Sequence, residues 1–138
     1  MANEATLMIE RSPPISITVA DGAGIEKGTF ITLSDPFTGA ATGANANAIV
    51  VGIAAEEKIA SDGKTQLAIY TDGFFKVLAG GAIALGEMVE SHSVAQEVVT
   101  ATHTTSATAN LIGRCMETVA DTDTFLMELN PMTIKDPA

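Results

Sequence analysis

The stretch Leu67-Ala68-Ile69-Tyr70-Thr71-Asp72-Gly73-Phe74-Phe75-Lys76-Val77-Leu78 decides the fold class. Leu67 and Ile69 share one face of an extended segment. Asp72-Gly73 is a turn dipeptide, and Phe74 to Leu78 is rich in the aromatic and apolar residues that suit a strand. Strand, Asp-Gly and returning strand together predict a β-hairpin.

The same grammar extends in both directions. Toward the N-terminus, Ile15, Ile17 and Val19 alternate with Ser16 and Thr18, the period of a half-buried strand. Asp21-Gly22-Ala23-Gly24 makes a turn, and Phe30 to Leu33 forms a strand closed by Ser34-Asp35-Pro36. Thr38 to Asn47, built of Gly, Ala, Thr and Asn, reads as a flexible loop. Ile49-Val50-Val51-Gly52-Ile53 is a buried run whose glycine marks a bulge. The one helix candidate is Ala54 to Ala60, about two turns at most. Toward the C-terminus, Gly80-Gly81 breaks the chain, and strands are expected at Glu87–Glu90, Gln96–Thr100 and Leu111–Val119. A polar loop is expected over Thr102–Thr108. Phe125, Met127 and Leu129 alternate on the last strand. Many short strands separated by frequent turn signals predict an all-β domain, a small β-barrel or sandwich.

The ends differ. Residues 1–14 read as an extended N-terminal arm, with Leu7 and Ile9 on one side and Pro13-Pro14 holding the chain extended. Residues 15–130 form the β-rich domain, and 131–138 a C-terminal tail. Within the domain, Gly52, Glu56 and Asp62 recur as Gly113, Glu117 and Asp123, and Gly28 is echoed by Gly86. Two matching β units folding around each other would make a closed barrel and remove exposed sheet edges.

Composition narrows the function. Charged residues make up 17% of the chain, against about 25% in ordinary soluble domains. Small neutral residues fill the difference, as suits a surface that ends against other protein. The net charge is −10, and the seven cations are scattered with no basic stripe. Direct binding of nucleic acid or of an acidic membrane surface is therefore not expected. No run approaches the roughly 18 apolar residues of a membrane span, and the first residues lack the pattern of a secretory signal. Cys115 is the single cysteine, so no internal disulfide forms.

Catalytic chemistry finds little purchase. His92 and His103 sit in Ser/Thr-rich segments and read as solvated loop residues. Metal-ligand spacings of the HExxH, CxxC or calcium-loop type are missing. Glu56-Glu57 and Asp121/Asp123 read as solvated acidic turns, because a glycosidase cleft needs sugar-binding aromatics and the chain has one Tyr and no Trp. No enzymatic activity and no cofactor is expected.

Taken in order, several motifs resemble the head decoration, or capsid cement, proteins of tailed bacteriophages and related viruses. They are the arm ending in Pro13-Pro14, Asp21-Gly22-Ala23-Gly24, Lys27-Gly28-Thr29, Val51-Gly52-Ile53-Ala54, Thr71 to Val77, Ala79 to Ile83 with Gly86-Glu87, and Leu129-Asn130-Pro131. The resemblance implies a β-tulip-like domain and a homotrimer on the outside of the virion. It implies synthesis in the host cytoplasm, and the major capsid protein as partner. It further implies an arm that lies across or pairs with capsid-protein strands, for which Leu7, Met8, Ile9, Arg11, Pro13 and Pro14 are the candidate residues. A swapped strand within the oligomer would look the same in sequence. The competing class is a β-barrel adhesin or carbohydrate-binding module.

Overall fold

A computed structural model describes residues 4–101 and 108–135. His103 and the expected polar loop, apart from Thr108, lie outside the described residues. The described chain is all-β, eleven strands with no helix.

The strands fall into two rings. The first contains β2 (Ile15–Val19), β3 (Phe30–Ser34), β4 (Thr38–Ala41), β5 (Val50–Ala54) and β6 (Gln66–Tyr70), closed in the order β2-β4-β3-β5-β6. The second contains β7 (Gly73–Ala79), β8 (Met88–Ser91), β9 (Glu97–Thr100), β10 (Thr108–Cys115) and β11 (Thr124–Lys135). These run β7-β11-β10-β8-β9, and a parallel β7–β9 pairing closes the row. Strand β1 (Thr6–Ile9) adds outside the second ring, on β7.

The rings are copies. β3 pairs with β5 at Phe30↔Ile53, Ile31↔Gly52 and Thr32↔Val50. Its counterpart β8 pairs with β10 at Met88↔Arg114, Val89↔Gly113 and Glu90↔Leu111, with the register break in the same place. The parallel closures match as well, Thr18↔Thr38 in one ring and Leu78↔Glu97 in the other. So do the isolated bridges Ile25↔Lys58 and Ile83↔Val119. Gly28 and Gly86 both stand at φ +87. The echo in the sequence is thus a duplication, and each unit closes its own ring where one shared barrel was expected.

Gly52 and Gly113 show what closure demands. A Cβ on Gly52 would collide with the Tyr70 carbonyl oxygen of the neighbouring strand, and one on Gly113 with that of Glu128. Only glycine lets the backbones approach so closely. Inside the first ring, Ile17, Val19, Ile31, Leu67 and Ile69 are buried together. The second core holds Phe75, Val77, Phe125 and Met127, and it also takes Phe30, Val50 and Ile53 from the first unit. That shared cluster fastens the two rings side by side.

Four local expectations are corrected. β6 and β7 do not form a hairpin: β2 and β5 occupy the two edges of β6, so none is left for β7. Asp72-Gly73 is instead the joint between rings, with Gly73 at φ +123. The segment Ala54–Ala60 is not helical, because Ile25 and Lys58 exchange backbone hydrogen bonds of 2.9 and 2.7 Å and so commit that stretch to tertiary pairing. The expected loop from Thr38 begins as strand β4. Its small residues belong to a crowded ring, since a Cβ on Gly39 would come within 2.7 Å of Ile31 Cγ2. At the other end, β11 runs on to Lys135, where a tail was expected to begin at 131. Pro131 falls at its register break, where a missing N–H costs no ladder bond.

The Lys58 side chain is deeply buried. The Lys58 ammonium donates to the carbonyls of Asp21 and Ile59 at 2.8 and 3.1 Å and to Asp62 Oδ1 at 3.0 Å. The Lys64 N–H donates to the same carboxylate at 2.9 Å. That N–H first, and the Lys58 ammonium next, hold the Asp62 carboxyl below its ordinary pKa of 3.8.

Two predictions follow from this packing. Gly52→Ala and Gly113→Ala should each lose about 1–3 kcal/mol or more in urea unfolding. Gly81→Ala, where a Cβ meets nothing within 4 Å, should stay within about 0.5 kcal/mol of the parent. Second, because the folded-state pKa of Asp62 is depressed, its stabilisation is present above the unfolded-state value and is lost as pH falls through the lower, folded one. Urea midpoints should drop on acidification below about pH 4, and Asp62→Asn should flatten that drop. An equally steep acid limb in the variant would exclude Asp62 as a source.

Candidate functional site

The N-terminal segment is extended, as its prolines and alternating residues require, but it is pinned to its own chain. Thr6 and Leu7 pair antiparallel with Lys76 and Phe75 of β7. A bulge follows, so that Ile9 faces Phe74. Leu7 and Ile9 consequently do not share a face. Leu7 is half-buried against the second core, whereas Met8 and Ile9 are 51% and 56% exposed.

Glycines clasp both ends of β1. Ala5 is buried, and its N–H donates to the Gly28 carbonyl at 3.0 Å. A Cβ on Gly28 would stand 2.6 Å from the Ala5 carbonyl oxygen. At the far end, a Cβ on Gly73 would lie 3.0 Å from the Ile9 carbonyl oxygen. Lys27-Gly28-Thr29 was legible as punctuation before a strand, but nothing in the sequence ties that glycine to the arm.

Arg11 continues the attachment. Its guanidinium lies 5.1 Å from the Phe74 ring centroid and donates to Glu128 Oε2 at 2.6 Å. Arg114 reaches the other oxygen of the same carboxylate at 3.5 Å. Ser12 Oγ donates to Asp72 Oδ2 at 3.0 Å. Pro13 and Pro14 are exposed and lead straight into β2, so the segment passes from one ring to the other. Beneath it, Tyr70 meets Phe75 edge-on at 5.7 Å, and burial pushes the Tyr70 phenol upward in pKa. Of the six candidate residues, Leu7 and Arg11 therefore hold the arm down. Met8 and Ile9 form its outer apolar surface.

The remaining chemical candidates are scattered. His92 Nδ1 lies 3.4 Å from Glu97 Oε1 on the rim of the second ring. Glu56 is paired with Lys64 at 2.6 Å. Cys115 is buried, donates to the Glu117 carbonyl at 2.8 Å, and is raised in pKa by that burial. Among the described residues, no group of three or more His, Cys, Asp or Glu is arranged to hold a metal ion. A groove of about 310 Å³ runs between β5 and β11 under Ile49 and Met132, both partly exposed. Its rim offers apolar contact.

The duplication isolates the arm's contribution to stability. Gly28→Ala and Gly86→Ala impose the same φ +87 strain, but only Gly28 faces Ala5; nothing lies within 4 Å of a Cβ on Gly86. Gly28→Ala should therefore be the costlier change by about 1–2 kcal/mol. It should also accelerate amide exchange at Ala5, which donates to Gly28, and at Thr6, which pairs with Lys76, while Gly86→Ala leaves those amides protected.

Comparison with known proteins gives a consistent result. The family model described as phage cement protein matches residues 9–129. Among solved structures, the chain is similar to the N base of the head fiber gp8.5 of bacteriophage phi29, with a TM-score of 0.54 and 18% identity. That match covers 85% of this chain and 94% of the other, and it speaks for the fold. No curated protein sequence matches the chain.

Proposed function

The chain belongs to the phage cement protein family, structural proteins of the phage head, and from that premise we propose that it seats on the outer surface of the assembled capsid and bridges neighbouring major capsid protein subunits. The observation behind this reading is the extent of the family match, residues 9–129 of a 138-residue chain. It takes in both rings and the end of the arm.

The physical features support a binding role at the surface. Met8 and Ile9 are held outward on a strand that is itself fixed by Ala5, Leu7 and Arg11. A pre-ordered apolar edge binds with less entropic cost than a loose arm. Phe37, Ile49 and Met132 add further exposed apolar surface on the rings. With few charges around them, they suit contact with protein, whether the capsid or further copies in a homotrimer. A trimer bridging several subunits would gain from multivalency, since each later contact is effectively intramolecular. Binding the assembled lattice in preference to free subunits would then stabilise that lattice by mass action.

The test is co-sedimentation with capsids of the cognate phage. Met8→Ser with Ile9→Ser should weaken capsid occupancy at least about tenfold. The thermal midpoint should move by only a few degrees, because neither side chain is in the core. Wild-type occupancy in that double variant would remove the arm from the binding surface.

A further inference from the structure

The two rings differ at one place that the duplication makes informative. In the second ring, β1 lies along the N-terminal half of β7. In the first, β4 covers β2 only at Thr18 and Val19; β6 holds the other edge of β2 from Ile15 to Thr18, and among the described residues no strand pairs with the β4-side edge over the half that precedes Thr18.

One backbone position of that half, Ser16, faces the uncovered edge. The Val19 N–H donates to Thr65 at 3.0 Å, on the β6 side. Since N–H and C=O directions alternate along a strand, Ile15 and Ile17 also address β6, and Ser16 turns away from it. Ala68, opposite Ser16, agrees: its carbonyl accepts from Ala55 on the far side at 2.9 Å. The second ring repeats this pattern with the slot filled. The Ala79 N–H donates to Asp123 at 2.9 Å, the Leu126 carbonyl accepts from Met116 at 2.9 Å, and Lys76 turns outward to its partner Thr6. Ser16 is the counterpart of Lys76, and Ile15 of Phe75. Phe75, opposite Leu7 of β1, is 1% exposed, whereas Ile15 is 44% exposed.

We propose that the β2 edge over Pro14–Ile17 receives an extended segment of the capsid protein as an added strand, with an apolar residue set opposite Ile15 as Leu7 is set opposite Phe75. Main-chain hydrogen bonds at Ser16 supply the pairing, and the apolar residue supplies burial. The chain's own β1 is not the occupant, because it is committed to β7. Nor is β1 of a second copy, whose release would break its Ala5–Gly28 bond and uncover Phe75. The net charge of −10, and Asp35 in the turn that leads into β4, favour a segment with neutral or basic flanks. The assignment of the occupant rests on the capsid-binding reading above.

Ser16→Pro removes the outward N–H and leaves the hydrogen-bonded positions Ile15 and Ile17 in place. Ser16→Ala changes only the side chain. In co-sedimentation with capsids, Ser16→Pro should bind roughly tenfold more weakly or worse, while Ser16→Ala binds like the parent. Full binding by Ser16→Pro overturns the slot and leaves capsid binding standing. Failure of the parent to bind capsids overturns both. Amide exchange on the unmodified protein gives a reading that does not depend on the variant folding. The Ser16 amide should exchange freely in the isolated protein and become protected on capsids. Absence of that protection overturns the proposal, and protection in concentrated protein without capsids would give the slot to a second copy and overturn the capsid segment.

Discussion

Everything in this molecule depends on backbone closing against backbone at Gly52 and Gly113. A five-stranded ring is narrow, and narrow closure requires strands to cross where a side chain would otherwise stand. At both glycines the neighbouring strand's carbonyl fills the space that a Cβ would need. Register breaks at these same points bend β5 and β10 around their rings. A side chain at either glycine would force the neighbouring backbone to shift and strain the closure.

That dependence explains how much of the architecture could be read from the residues. The all-β class follows from alternation in Ile15–Val19 and Phe125–Leu129, where one face packs inward and the other does not. The repeat was visible at Gly52/Gly113 because geometry fixes those residues. The joint at Asp72-Gly73 was misread because its local signal is the same whether the next strand folds back or leaves for another ring. Competition for the edges of β6 decides, and competition is not local. β4 escaped notice for a related reason: Gly39 is small because it is crowded, while loop residues are small because they are free. The two causes leave the same mark in sequence.

The arm was partly legible. Pro13-Pro14 and Leu7-Met8-Ile9 announce an extended apolar segment, but the bulge that turns Leu7 inward and Ile9 outward arises only from pairing with β7. Likewise, nothing in the spacing of Gly28 from Ala5 announces that one clasps the other. Arg11 is more instructive. As a lone cation in an acidic chain it could have served a partner, yet Glu128 and Phe74 engage it from the second ring. The segment is thus a strap across the two units before it is anything else.

A chain built from two closed rings has few places at which to meet a partner. Interiors of this size are filled by side chains, here Ile17, Ile31, Leu67 and Ile69 in one ring and Phe75, Phe125 and Met127 in the other. Recognition therefore falls to the outside: the strap, the apolar rims and whatever strand edge closure leaves open. Duplication alone would make the rings equivalent in this respect. The strap breaks that equivalence, covering the edge of the second ring while leading, through Pro13 and Pro14, directly into the open edge of the first. One short segment thereby gives a nearly symmetric body a distinct side. On the capsid-binding reading proposed above, such a side is what would set one orientation on the lattice, and rigid closure keeps it fixed.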